Sequence, residues 1–340
     1  MALVFILYFF SVLVIVFTII PLFRLKHWWI RIFDFPRVQV LICQGICLHF
    51  HIIILDPYDY DEYAIPGLLL LAFGYQLFKI FPYTKFARKE VSESETSTRG
   101  IKISLLVTNV YRDNRRSELL LNVIRQASPD VILAIETNYW WMDVLSELKT
   151  VYKYTVEKPL DNTYGILLYS KYKLEHIGIN YLVESSVPSI EADICLSEEV
   201  KIKFYGLHPK PPAPNESTSS KERDAELVIV ANAGKNQKGP VIVAGDLNDV
   251  AWSRTTHEFQ QISRLLDPRV GRGMYATFNS KNLFFRWPLD HVFISKHFTI
   301  SRIKLLPHVG SDHFPIYVEL KYILIDKPGN EALDVKSWLE

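Results

Sequence analysis

Pro129-Asp130-Val131-Ile132-Leu133-Ala134-Ile135-Glu136 is the stretch on which the reading of this chain turns. Residues 131–135 are apolar and rich in β-branched side chains, bounded by Ser128-Pro129 on one side and a lone carboxylate on the other. A short run so bounded reads as a buried strand with an acid at its end. Upstream, residues 115–127 place Leu119, Leu120, Val123, Ile124 and Ala127 on one helical face, closed by Ser128-Pro129. Before that helix, residues 103–107 form another strand-like run that ends on Thr108-Asn109.

The same device recurs downstream. Strand-like runs at 165–169, 202–206, 241–244, 291–294 and 315–320 alternate with helix-like segments at 139–148 and 221–233, the last closed by Gly234. Polar motifs sit at the ends of the runs: Leu207-His208, Gly245-Asp246-Leu247-Asn248, Leu289-Asp290-His291 and Ser311-Asp312-His313, in addition to Asn109 and Glu136. Singly, each is an ordinary turn after a strand. Together they supply hard oxygen ligands for a divalent cation, a carboxylate to orient water, a His–carboxylate pair and donors for developing charge. Those are the requirements of metal-assisted phosphate-ester hydrolysis. The mixed strand and helix order over about 240 residues suits one α/β domain.

These motifs resemble the endonuclease/exonuclease/phosphatase superfamily, which includes DNase I-like nucleases, apurinic endonucleases, sphingomyelinases and inositol polyphosphate phosphatases. The resemblance covers residues 102–321 and rests on the 129–136 stretch, Gly245-Asp246-Leu247-Asn248 and Gly310-Ser311-Asp312-His313-Phe314-Pro315. It implies a four-layer α/β/β/α sandwich with the site where strand ends converge. Carried over, it implies metal ligation by Glu136, with Asn109 beside it and Asp312 completing or supporting the site. It implies that Asp246 orients or deprotonates the attacking water and that Asn248 holds that water and a phosphoryl oxygen. His313, oriented by Asp290, would contact the phosphate or transfer a proton, and His208 would lie near the leaving group. A set of oxygens and amides without a thiolate suits Mg2+ or Mn2+ rather than zinc. His291, Ser253, Arg254, Arg286 and Trp287 lie close to these motifs as further candidates for the pocket or for packing.

The first 89 residues differ in kind. Of the chain's 340 residues 49% are apolar, and most of the excess lies here. Residues 2–23, 38–55 and 65–81 are apolar enough for three transmembrane helices, the middle one weakened by Gln39, Gln44, His49 and His51. The first lacks the basic start and small-residue cleavage site of a signal peptide. Trp28, Trp29, Tyr58, Tyr60 and Tyr63 flank the runs, as interfacial rings do. Arg24, Lys26, Arg31 and Arg37 follow the first run and Lys85, Arg88 and Lys89 the third, while Asp56, Asp59, Asp61 and Glu62 precede the third. With three spans, that bias places the amino terminus outside and the large domain in the cytoplasm. Cys43 and Cys47 read as small packing residues, and with Cys195 alone no disulfide framework forms in the domain.

The expected organisation is therefore a membrane anchor at 1–89, a serine-rich linker at 90–100, a catalytic domain at 101–325 and a tail at 326–340. From residue 101 onward 29 Lys plus Arg balance 29 Asp plus Glu. A neutral domain is unhelpful to a nonspecific nucleic-acid binder, which normally shows a basic field. The Pro-rich run at 209–214 reads as a stiff surface loop. The function expected is a membrane-anchored hydrolase of a phosphodiester or phosphomonoester, with lipid-linked compounds among its candidate substrates and the bilayer as its partner. A membrane-tethered nuclease is the alternative.

Overall fold

The computed structural model describes residues 2–54, 63–95 and 99–324. The acidic loop at 56–62 with Tyr58 and Tyr60, part of the expected linker, and the tail at 326–340 lie outside them. Among the described residues, two β-sheets are packed face to face. One has six strands in the order β10-β11-β1-β2-β4-β3, the other five in the order β5-β6-β7-β8-β9. In the first are β1 (Gly100–Asn109), β2 (Val131–Ile135), β3 (Tyr154–Lys158), β4 (Ile166–Ser170), β10 (Phe298–Leu305) and β11 (Ile316–Ile323). The second holds β5 (Lys173–Asn180), β6 (Ser189–Cys195), β7 (Lys201–Leu207), β8 (Val241–Asp246) and β9 (Asp290–Ile294).

Side-chain alternation along the strands sorts the core into layers. Leu105, Val107, Leu133, Ile135, Phe204, Ile242, Ala244, Val292 and Val318 meet between the sheets. Leu106, Ile132 and Ala134 face outward, onto helices α5 (Ser117–Ala127) and α6 (Tyr139–Leu145), through Leu120, Ile124, Trp141 and Leu145. On the other outer face Tyr205, Val243 and Phe293 pack under α7 (Lys221–Asn236) and α8 (Arg254–Ser263), against Leu227, Val230 and Phe259. The result is the expected four-layer sandwich. Four strands, β3, β5, β6 and β10, and helix α8 carry no clear sequence pattern and were not expected. Gly234 does not close α7; the helix continues to Asn236, and Gln237 caps it.

Amino-terminal to the sandwich, three helices among the described residues are long and apolar enough to cross a membrane: Ala2–Leu22, Arg37–Ile54 and Ala64–Tyr83. Their α-helical parts are α1 (Ala2–Ile19), α3 (Arg37–Ile54) and α4 (Ala64–Ile80); a short helix, α2 (Trp28–Arg31), lies between the first two. Three polar residues of the middle and third helices, Gln44, His51 and Gln76, are partnered inside the bundle, whereas His49 is exposed and Gln39 reaches outside it. Gln44 donates to Thr18 Oγ1 at 2.8 Å, Gln76 donates to the same hydroxyl at 3.0 Å, and His51 lies 3.0 Å from Ser11 Oγ. Leu3, Phe5, Ile52, Leu71 and Phe78 project outward, the arrangement of a bundle whose exterior is apolar.

Within the segment expected as a linker, residues 90–94 are docked on the sandwich. Val91 is buried in the inter-sheet core, Ser92 and Ser94 pair with Ile300 on the edge of β10, and Asp267 N donates to Glu90 Oε2 at 2.8 Å. Its serines satisfy an exposed strand edge instead of solvating a tether.

Candidate active site

Strand pairing gathers the predicted residues. β1 and β2 run parallel with Asn109 opposite Ile135, so Asn109 and Glu136 leave the first sheet side by side. β7 and β8 also run parallel, with Leu207 opposite Gly245, which sets His208 next to Asp246. β9 begins antiparallel to the end of β8, with Asp290 opposite Asp246. Asn109, His208, Asp246 and Asp290 share the parity of Val107, Gly206, Ala244 and Val292, so they sit at the inter-sheet face where the core opens. A one-residue slip in any strand would turn its site residue toward the helices.

Backbone geometry finishes the placement. Gly245 has φ +147°, and a Cβ there would overlap the Leu207 carbonyl, so only glycine lets β8 approach β7 closely enough. Glu136 and Asn248 are held at φ +60° and +51°, a conformation uncommon for residues with side chains and frequent at functional sites.

Asp246 is the hub. Its Oδ1 accepts the Asn248 backbone N–H at 2.9 Å, while its Oδ2 accepts from Asn109 Nδ2 at 3.3 Å and lies 3.5 Å from His313 Nε2 and 4.0 Å from His208 Nε2. His313 Nδ1 is 2.7 Å from Asp290 Oδ2, and Thr277 Oγ1 receives the Asp290 backbone N–H. Burial opposes charge on His313, but Asp290 and Asp246 together overcome it and hold the imidazole above its ordinary range. Burial raises Asp246, against the pull of His313. His208 is driven the other way, to about 4, by burial and by the charge of His313, so it is a neutral imidazole. The site thus holds one charged and one neutral histidine around a single carboxylate.

On the first-sheet side, Asn109 Nδ2 also donates to Glu136 Oε1 at 2.8 Å, and its Oδ1 accepts the Tyr111 N–H at 3.0 Å. Reversing the amide would put its oxygen against two carboxylates, so this orientation is the one the network requires. Asn109 therefore presents its NH2 to the site. In this orientation it bridges Glu136, the carboxylate expected as the principal metal ligand, to Asp246. Glu136, raised by burial and by nearby Asp312, and Asp312 itself are partly exposed at the opening. Asn248 is also partly exposed, with one amide hydrogen given to the Pro209 carbonyl at 3.0 Å.

Two groupings can be asked whether they fit a cation. Ligand atoms of Asp246, Asp290 and His313 lie within 4.8 Å of one another, a spacing that could hold one. Yet His313 donates to Asp290 and is favoured in its charged form, so it offers no lone pair; this trio is built as a proton-bearing Asp-His-Asp chain. Glu136 and Asp312 are carboxylates at the opening, the charge of Asp312 adds to the burial that raises Glu136, and a hard divalent ion there would relieve that repulsion. The donor chemistry fits the second grouping better.

The neighbouring candidates resolve into packing roles. His291 is fully buried, accepts from Arg269 Nη2 at 2.6 Å through Nδ1 and lies 2.9 Å from the Asp249 carbonyl through Nε2. Ser253 caps α8 and Arg254 pairs with Glu258 on the surface. Arg286 stacks on Phe314 at 4.9 Å, and Trp287 packs on Phe35 at 5.6 Å. Sequence reasoning missed Asp249, the acid immediately after Asp246-Leu247-Asn248. It is fully buried, 3.1 Å from Arg223 and 3.4 Å from Arg31, and Arg223 Nη1 donates to the Asn248 carbonyl at 2.7 Å. Its only sequence signal was adjacency, because its partners are remote in the chain.

Comparison with known proteins agrees with this geometry. No curated protein matches the chain. Among solved structures, an endonuclease/exonuclease/phosphatase family protein from Bacteroides thetaiotaomicron is 18% identical with a TM-score of 0.54, covering 66% of this chain and 100% of its own. The human Nocturnin catalytic domain with bound sulfate is likewise 18% identical with a TM-score of 0.54, covering 66% and 96%. The D. rerio TDP2 complex with single-strand DNA product is 19% identical with a TM-score of 0.53, covering 64% and 98%. At such identities these likenesses concern the fold. The sequence model of one family matches residues 106–313, more than half of the chain and from one end of the site to the other, and the chain belongs to that family, the Endonuclease/Exonuclease/phosphatase family.

Proposed function

We propose that this chain is a membrane-anchored, divalent-metal-dependent hydrolase of phosphodiesters or phosphomonoesters. The observation that carries the reading is Asp246, buried between a charged His313–Asp290 pair and the Asn109–Glu136 bridge. Hydrolysis joins the oxygen of water to phosphorus, breaks one P–O bond and returns a proton to the departing oxygen. Asp246 orients the water and takes its proton; Asn109 and the Asn248 N–H hold that carboxylate in place. His313, steadied by Asp290, donates to a phosphoryl oxygen, and neutral His208 stands beside the departing group. Glu136 and Asp312 would hold Mg2+ or Mn2+, which when bound neutralises charge on the phosphoryl oxygens.

The catalytic unit is assigned to 101–325 and the anchor to 1–89. Three apolar helices support anchoring, and the basic residues after the first and third support a cytoplasmic domain. Hydrolysis of a panel of nucleic acids, nucleotides, phospholipids and prenyl phosphates by the full chain, with Mg2+ and with excess EDTA, tests the chemistry. Turnover that is lost in EDTA and restored by Mg2+ or Mn2+ is expected; full turnover in chelator would remove the metal assignment. Nucleic acid cleaved in preference to every other compound would favour the nuclease alternative. Protease added to intact cells is expected to leave the domain uncut.

A further inference from the structure

The hairpin that carries Phe278 and Trp287 is not accounted for by the hydrolytic groups alone. At its base, Phe278 packs on the ring of His313 at 5.0 Å, and Ser280 N donates to the Asp312 carbonyl at 2.6 Å. At its tip, Leu283, Phe284 and Phe285 are 72%, 77% and 52% exposed. Three consecutive large apolar side chains in water are costly on a soluble surface and mark a contact with something apolar.

The position of the tip identifies the occupant. Gln39, in the first turn of α3, donates through Nε2 to the Phe284 carbonyl at 2.5 Å. A helix of that length and apolarity has its first turn at the boundary between water and hydrocarbon. The Phe284 backbone is therefore held at the depth where aromatic rings are preferred in bilayers. One flank of the same hairpin carries Lys281, whose ammonium lies 5.0 Å from the Tyr111 ring, two residues beyond Asn109. The hairpin thus joins an apolar tip at the membrane surface to a cationic flank and a base that touches His313.

Resting on the phosphohydrolase reading above, we propose that the 278–287 hairpin dips into the leaflet on the domain side and that the substrate is a phosphate ester in the headgroup of a lipid of that same leaflet. Leu283, Phe284 and Phe285 take the depth of the upper acyl chains, while Lys281 meets the anionic headgroup. Water attacks phosphorus, the P–O bond to the departing alcohol breaks, and that oxygen takes up a proton. The phosphate need not leave the interface to reach His313.

The test uses the full chain in vesicles of phosphatidylcholine, phosphatidylglycerol and phosphatidic acid. In a chain carrying Cys43→Ser, Cys47→Ser and Cys195→Ser, an environment-sensitive fluorophore at Phe284→Cys is expected to be quenched by doxyl-labelled lipid and shielded from aqueous iodide. In the combined Leu283→Ser, Phe284→Ser and Phe285→Ser variant, turnover of vesicle lipid relative to soluble bis(p-nitrophenyl) phosphate should fall by about tenfold or more, the scale of exposing one or two large apolar side chains. A fluorophore that stays in water, or an unchanged ratio, overturns the proposal. So does wild-type protein that cleaves the soluble diester and no vesicle lipid. A shielded fluorophore with neither substrate cleaved supports the membrane contact but sinks the hydrolase reading on which the substrate assignment rests.

Discussion

Glu226 shows how much a single buried acid can weigh outside the site. It lies on the inward face of α7 with Oε1 unpartnered among the described residues. Burial, with the nearby charge of Glu184, raises its carboxyl from 4.5 to about 7. The folded state therefore prefers the protonated form. Its stabilising contribution is full below about pH 4.5 and is lost as pH rises through about 7, a change on the order of 3 kcal/mol. Glu226→Gln should be near neutral in stability at pH 4 and stabilising at pH 8, read by denaturant unfolding at both values. An equal effect at the two pH values would mean that Glu226 finds a partner when charged. The side chains proposed as catalytic were more legible. Glu136 and Asp246 end or follow an apolar run and Asp290 and His313 stand at the start of one, which sequence displays directly. The orientation of the Asn109 amide was not legible, because it depends on Tyr111, Glu136 and Asp246 meeting in three dimensions.

At the scale of the element, legibility follows burial. β1, β2, β8 and β9 are sheltered on both faces and read as continuous apolar runs. β5 has one exposed face, and its sequence Lys173-Leu174-Glu175-His176-Ile177-Gly178-Ile179-Asn180 is interrupted by a register shift between Glu175 and Gly178, which removes the alternation a reader would seek. α8 lacks an apolar run because only Thr255, Thr256, Phe259 and Ser263 are buried, and three of these four inward residues carry hydroxyl groups. Gly245 offers the sharpest test of an element. Gly245→Ala must adopt φ near +147° and push back the Leu207 carbonyl, separating β8 from β7. A loss of at least about 2 kcal/mol in unfolding free energy is expected. Wild-type stability would show that the β7–β8 contact can relax.

Across the described residues, the amino-terminal helices and the sandwich are packed against each other. Trp252 Nε1 donates to the Asp34 carbonyl at 2.7 Å, and Tyr83 Oη donates to the Ala251 carbonyl at 2.6 Å. A ladder of buried charge runs from Gln76 to Arg37, Asp34, Arg31, Asp249 and Arg223, and ends on the carbonyl of Asn248. None of this was legible in sequence, since Arg31 and Asp249 are 218 positions apart. Arg31→Ala leaves Asp249 with one cation fewer and should cost about 3 kcal/mol or more, the scale for breaking a buried pair. Thermal unfolding of the detergent-solubilised full chain reads it, and an unchanged midpoint would mean that Arg223 alone satisfies Asp249. For the same reason the 101–325 segment expressed alone would expose Val250, Ala251 and Trp252, which Phe35, Val38 and Tyr83 cover in the full chain.

The central claim is that Asp246 and the His313–Asp290 pair act together on a phosphate ester. Its most direct measurement is turnover of bis(p-nitrophenyl) phosphate by the purified full chain with Mg2+, for wild type, Asp246→Asn, His313→Ala and the double variant. Each single substitution should lower turnover by about a hundredfold or more, the usual scale for acid–base and charge-stabilising groups. The double variant should fall far short of the product of the two losses, as happens when residues act as a unit. Folded variants that hydrolyse the diester at the wild-type rate would contradict the account.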